Sequence, residues 1–190
     1  MFAKLIVYTE KTIVKVWKRG SAQPEIAIDN MKLEDKNMRR IKIEFPKANI
    51  VCYAKVLEDK YPEVADELWE AIAEPMVCEA HNTLSTGDYV QCRPIPPYHV
   101  PKHVGDQSNP LGGGDVPALC DCKNGDIAWS GWYFACTYGP CTEPLPNMGP
   151  IMALVEPEYL EDFHRGGMDC WNHTYLYHEL ATVVFSREEA

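Results

Sequence analysis

Two residues apart in an apolar stretch, Glu79 and His81 are a pair able to move a proton. On a strand the two-residue period sets both on one face. There the carboxylate orients the imidazole and raises its pKa, the arrangement of a general acid/base. The plainer reading is a solvated pair at a strand end. Downstream, Trp129-Ser130-Gly131-Trp132-Tyr133-Phe134 concentrates aromatic area. Trp129 and Trp132 are candidates for the apolar wall of a pocket, with Tyr133 and Tyr138 as hydroxyl donors. The same rings would also serve as barrel core. Arg93, whose guanidinium is a planar fork of donors, is the candidate anchor for a substrate carboxylate.

His99 and His103, followed by Cys120 and Cys122, offer four ligands that zinc would accept. Pro101 keeps the histidines off one regular helix face, and C-x-C chelates less well than C-x2-C, so no metal is assigned. Tyr98, His99 and His103 are read instead as part of a mobile lid. Gly112-Gly113-Gly114 has neither the preceding strand nor the Lys-Ser/Thr ending of a phosphate loop. No cofactor is expected.

Positioning these groups falls to short elements. Residues 2–9 and 12–18 read as a hairpin, and 20–40, with Pro24 and Asp29-Asn30, as a connection. This divides the chain into 1–39, hairpin and connection, and 40–190, the main domain. Residues 41–45 alternate strictly and 49–56 are β-branched and apolar, a second hairpin. Val64, Leu68, Trp69 and Ile72 share a face, so 61–73 is an amphipathic helix, with Asp59 able to cap and Pro62 preset for the first turn. Strands follow at 76–81, 89–93, 127–129, 133–138, 151–155 and 181–186. Six prolines between 94 and 118 exclude a long helix or a central strand there. A short helix is expected at 157–164, with Gly166-Gly167 as its stop and Arg165 favoured at its end. Many strands with hairpin-length connections and no βα alternation predict a mainly β fold, a closed antiparallel barrel with two helices at its ends.

Composition narrows the function classes. At 190 residues, 46% hydrophobic and 24% charged, the chain is ordinary globular material with enough length for one sizeable core. The net charge is −10, and residues 124–190 hold ten acidic residues and two basic ones, which argues against nucleic acid as a partner. No apolar run approaches a membrane span or a signal h-region, so the expectation is a soluble, unexported, cytoplasmic protein that uses no membrane. Of eight cysteines, Cys52, Cys78, Cys92 and Cys136 sit in apolar strand-like stretches and read as small buried hydrophobes, reduced by default. The partner expected is a small-molecule substrate, with a homo-oligomer left open.

Gly125-Asp126-Ile127-Ala128-Trp129, followed by Ala135-Cys136-Thr137-Tyr138-Gly139-Pro140, resembles a bacterial family with a cyclophilin-like barrel, in which a G-D-I-A-Y/W strand entry runs into a Y/F-G-P exit. The likeness continues in order through 41–44, 61–73, the strand reaching His81, and 157–186, covering 40–187. The superfamily includes the synthase domain of cucumopine synthase, which joins the amine and imidazole carbon of histidine to 2-oxoglutarate without a cofactor. The resemblance therefore implies a cofactor-independent lyase or synthase making a Pictet–Spengler-like condensation of an amine with a 2-oxo acid. It also implies comparable positions for His81, Glu143 and Asn147, the last two binding substrate. On this reading His81 with Glu79 is the base, Tyr133 or Tyr138 the acid and Arg93 the anchor, all in the barrel mouth. Phe163-His164-Arg165 is the tripeptide that cyclophilins carry around their catalytic arginine. Peptidyl-prolyl isomerisation, or non-catalytic binding of a small ligand or peptide, is the alternative.

Overall fold

The computed structural model describes residues 6–8, 11–16, 25–27, 38–97 and 116–188, and the chain divides into two compact units, Met1–Asn37 and Met38–Ala190. In the first, β1 (Ile6–Tyr8), β2 (Lys11–Val16) and β3 (Glu25–Ala27) form an antiparallel sheet in that order. β3 lies in the stretch read as a connection. Three residues are too few to display a two-residue period.

In the second unit eight strands close on themselves. They are β4 (Arg40–Phe45), β5 (Ile50–Val56), β6 (Met76–Asn82), β7 (Gly87–Pro94), β8 (Asp126–Trp129), β9 (Phe134–Cys141), β10 (Ile151–Val155) and β11 (Thr182–Arg187). Their order around the barrel is β10-β5-β4-β11-β6-β7-β9-β8, every neighbouring pair is antiparallel, and β8 closes onto β10. Helix α1 (Pro62–Ala71) and helix α2 (Leu160–Asn172) complete it. The architecture is the mainly β, cyclophilin-like closed barrel with two helices that the sequence implied. Among the described residues no helix is long and apolar enough to cross a membrane.

Strand parity decides what fills the barrel. Ile41, Ile43 and Phe45 on β4, Cys78 and Ala80 on β6, and Phe134, Cys136 and Tyr138 on β9 all point inward and are buried. Phe134 stacks on Phe185 of β11 with centroids 3.9 Å apart, and Trp129 leans on Phe134 at 4.7 Å. An eight-stranded barrel is about wide enough for its own side chains, and here apolar ones occupy it. The centre of the barrel is therefore packed core. Burial pushes the Cys52 and Cys170 thiols up to about 12. All eight cysteines are free.

Both helices differ from expectation at their ends. Pro62 does occupy the first turn of α1, but Tyr61 and not Asp59 precedes it at the cap, without a side-chain capping bond. Helix α2 enters through a 3-10 turn at Pro157–Tyr159, runs on through Gly166-Gly167 and leaves through a π turn at His173–Tyr177. The glycines are packing residues, not a stop. A Cβ on Gly166 would meet the Phe45 ring and one on Gly167 the Tyr138 ring. Glycine costs a helix about 1 kcal/mol relative to alanine, and close approach of α2 to the barrel is what offsets that cost.

One ion pair ties the barrel strands to the entrance of α2. The Arg40 Nε and Nη2 donate to the two carboxylate oxygens of Glu156 at 2.8 and 2.7 Å, and the guanidinium lies over the Tyr53 ring, 4.1 Å from its centroid. Glu156 is nearly buried, and hydrogen bonding to Arg40 holds its carboxyl below the ordinary 4.5.

Two stability measurements follow from this packing. Gly167→Ala introduces a better helix former yet overpacks the Tyr138 contact, so urea denaturation should show a net loss of about 1–2 kcal/mol. Arg40→Met leaves Glu156 unpaired and should cost about 2 kcal/mol at pH 7, discounted for the partial exposure of Arg40. Because the folded carboxyl titrates below its unfolded value, that difference should be full above pH 4.5 and shrink as the pH falls through the depressed value.

Candidate active site

The outward face of the β6–β7 hairpin carries charged and polar groups, whereas the interior beneath it is mostly apolar. Met76, Cys78, Ala80 and Asn82 take the inward positions of β6, which turns Glu79 and His81 outward. On β7, Val90 and Cys92 point in and Gln91 and Arg93 point out. The register sets Glu79 opposite Arg93 and His81 opposite Gln91, so four polar side chains occupy adjoining outward positions.

The β8–β9 turn adds an aromatic wall. Ser130 Oγ donates to the Tyr133 carbonyl at 3.1 Å and accepts from the Tyr133 N–H at 3.2 Å, while Gly131 takes φ +93°. A glycine is favoured at that left-handed angle. The tight turn leaves Trp132 43% exposed and tucks Tyr133 in at 5%, their rings 5.1 Å apart. Glu79, Gln91, Arg93, Trp132 and Tyr133, edged by Pro94 and Pro97, line one cavity of about 480 Å³. That volume suits a small organic ligand.

The Arg93 Nη2 donates to Gln91 Oε1 at 3.1 Å, and among the described residues the guanidinium has no carboxylate partner. Glu79 approaches His81 Nδ1 at 3.9 Å, and both are partly exposed. His81 itself stands beside the lining, reaching the cavity through Glu79. Burial raises the Tyr133 phenol above the ordinary 10, with Arg93 pulling the other way. Tyr133 is therefore a neutral donor at neutral pH, and among the described residues its hydroxyl has no hydrogen-bond partner.

Of the residues expected to form a site, Glu79, Arg93, Trp132 and Tyr133 come together here. Tyr138, Trp129, Glu143 and Asn147 do not. Tyr133 and Tyr138 are an odd number of residues apart, so on one strand they face opposite sides. Tyr138 points into the barrel, where its hydroxyl donates to Asn82 Oδ1 at 3.5 Å. Trp129 shares the inward parity of Ile127 and packs in the core. Glu143 accepts from Thr86 Oγ1 at 2.8 Å, and Asn147 accepts from the Tyr89 hydroxyl at 3.3 Å and donates to Cys122 Sγ at 3.4 Å. These two brace the loop beside β7 and lie outside the lining. Gln91 was not singled out in the sequence, although its spacing from Arg93 on an alternating strand carried the signal.

The other motifs sit elsewhere. Arg165 is on α2, paired with Asp162 at 3.1 Å, and His164 Nδ1 is hydrogen-bonded to the Tyr138 carbonyl oxygen. Tyr98, His99 and His103 lie outside the described residues. Cys120 is exposed and Cys122 buried. Among the described residues no cluster of three His, Cys, Asp or Glu is arranged to hold a metal ion.

No protein-family model and no curated protein matches the chain. Among solved structures it is similar to McbB in complex with tryptophan, at 23% identity and a TM-score of 0.65. That match covers 79% of this chain and 45% of McbB, so the chain spans less than half of McbB's length. A hypothetical protein from Archaeoglobus fulgidus, solved in solution, matches at 13% identity and a TM-score of 0.46, covering 80% of this chain and 95% of that one. The likeness to McbB shows the barrel fold.

The opposing effects on Tyr133 can be separated. Ultraviolet difference titration against Tyr133→Phe should place its ionisation above pH 10, and Arg93→Met should move it higher still by removing the favourable positive charge. A midpoint that ignores the loss of Arg93 contradicts the geometry of the cavity.

Proposed function

We propose that the cavity on the outer face of β6–β7 binds an aromatic α-amino acid and condenses its amine with a 2-oxo acid. The reaction is a cofactor-independent, Pictet–Spengler-like cyclisation of the cucumopine-synthase type. The observation that carries the reading is the convergence, in one small cavity, of a guanidinium with no carboxylate partner among the described residues, a carboxylate, a neutral phenol and an exposed indole face. That McbB, with which this chain shares its fold, is solved with tryptophan supports the ligand class.

Each group has a task that its chemistry suits. The Arg93 fork accepts the amino-acid carboxylate, and the Trp132 ring offers a face for stacking. The amine adds to the carbonyl carbon, and Tyr133 donates a proton to the hydroxyl that departs as water, leaving the iminium. A ring carbon of the amino acid then attacks that carbon, and Glu79 takes the proton the ring carbon releases. His81 orients Glu79 from behind. The product has the summed mass of the two substrates less one water.

The test is to incubate the full chain with tryptophan or histidine together with pyruvate or 2-oxoglutarate and to look for that mass by chromatography and mass spectrometry. The expected result is turnover that Glu79→Gln lowers by about 100-fold or more. Arg93→Met should raise KM by about tenfold with kcat within a few-fold. His81→Ala, which removes only a neighbour, should cost less than Glu79→Gln. Absence of both the product and any ligand-induced rise in Tm overturns the reading.

A further inference from the structure

We propose that Gln91 is a positioning residue that holds the Arg93 guanidinium away from the Glu79 carboxylate, so that both charges stay free for a zwitterionic ligand. This deepens the amino-acid reading of the same cavity and rests on it. Glu79 and Arg93 are register partners on adjacent antiparallel strands. Directly opposite residues have Cβ atoms about 4.5–5.5 Å apart, and opposite charges so placed attract. In this hairpin they form no ion pair. Each charge turns instead to the neighbour on its own strand, Arg93 to Gln91 Oε1 at 3.1 Å and Glu79 to His81 at 3.9 Å.

The chemistry of the amide fits the task. A glutamine oxygen accepts a hydrogen bond from a guanidinium without neutralising it, so Arg93 keeps its full charge and most of its five donors. A carboxylate at position 91 would capture the guanidinium for itself. An apolar side chain there would release it, and the nearest carboxylate across the register is Glu79. Ala135, opposite Gln91 on β9, brings no polar side chain, so the other polar groups beside the amide are His81, its partner on β6, and the Tyr89 hydroxyl on its own strand. Without Gln91 the two charges collapse onto each other. An amino acid would then have to break an ion pair before its own carboxylate and ammonium could bind.

The experiment reads Glu79 directly. In full-length protein carrying 13C-labelled glutamate, the Glu79 carboxyl signal is assigned by its loss in Glu79→Gln and titrated in the parent, in Gln91→Met and in Gln91→Ala. The expected result is a midpoint lower by about 1 pH unit or more in both Gln91 variants, as a cation within a few ångströms produces. Adding Arg93→Met to Gln91→Met should restore the parent value. An unchanged midpoint in both variants overturns the proposal.

A second arm measures dissociation constants for tryptophan and for indole-3-propionate, which has the carboxylate and no ammonium. Gln91→Met should weaken both by about tenfold. Adding Glu79→Gln should return indole-3-propionate to within a few-fold of the parent, because the guanidinium is then free again. A loss that Glu79→Gln fails to relieve overturns the proposal. Should the parent bind neither compound, the amino-acid reading falls, and the Glu79 titration still decides what Gln91 does.

Discussion

A closed barrel of eight strands has an interior sized for side chains, and in this protein that limit governs where charged groups can stand. The stacked rings of Phe134 and Phe185, with Trp129 against them, occupy the centre. Polar groups able to meet a substrate are displaced to the outward positions of the strands or to the turns. The cavity beside β6 and β7 is a consequence of that exclusion. Each of its strand-borne residues has an inward neighbour committed to the core, which fixes the backbone beneath it.

Rigidity beneath the cavity matters because the charged groups around it are themselves only lightly held. Glu79, His81 and Arg93 are partly exposed, and their mutual contacts are few. Long side chains in that condition lose rotamer freedom when they bind, a cost that reduces affinity. The amide of Gln91 and the tight Ser130–Tyr133 turn restrict two of the participants beforehand. Tyr133 is the most constrained of the lining groups, and burial that keeps its phenol neutral also fixes its direction.

The helices serve the barrel more than the site. Two glycines let α2 lie close against Phe45 and Tyr138, and Arg40 clasps Glu156 where the chain leaves β10 for that helix. Glu143 and Asn147 act in a similar way on the loop beside β7, through Thr86 and Tyr89. Residues that look polar and available in a sequence are in these cases consumed by structure.

Alternation on β4, β6 and β7 was legible in the sequence because a two-residue period needs only four or five residues to declare itself, and it carried the barrel and the pairing of Glu79 with His81. The third strand of the first unit and the continuation of α2 through Gly166-Gly167 were not legible. One is too short to show a period, and the other turns on contacts with Phe45 and Tyr138, distant in the chain. The sequence by itself determined the fold class and which residue types could carry a proton, a carboxylate or a stacked ring. Tertiary structure alone decided that Trp129 and Tyr138 go to the core while Trp132 and Tyr133 line the outer cavity, the first exposed and the second buried. Adjacent residues on a strand face opposite sides, and only closure of the barrel defines which side is the interior.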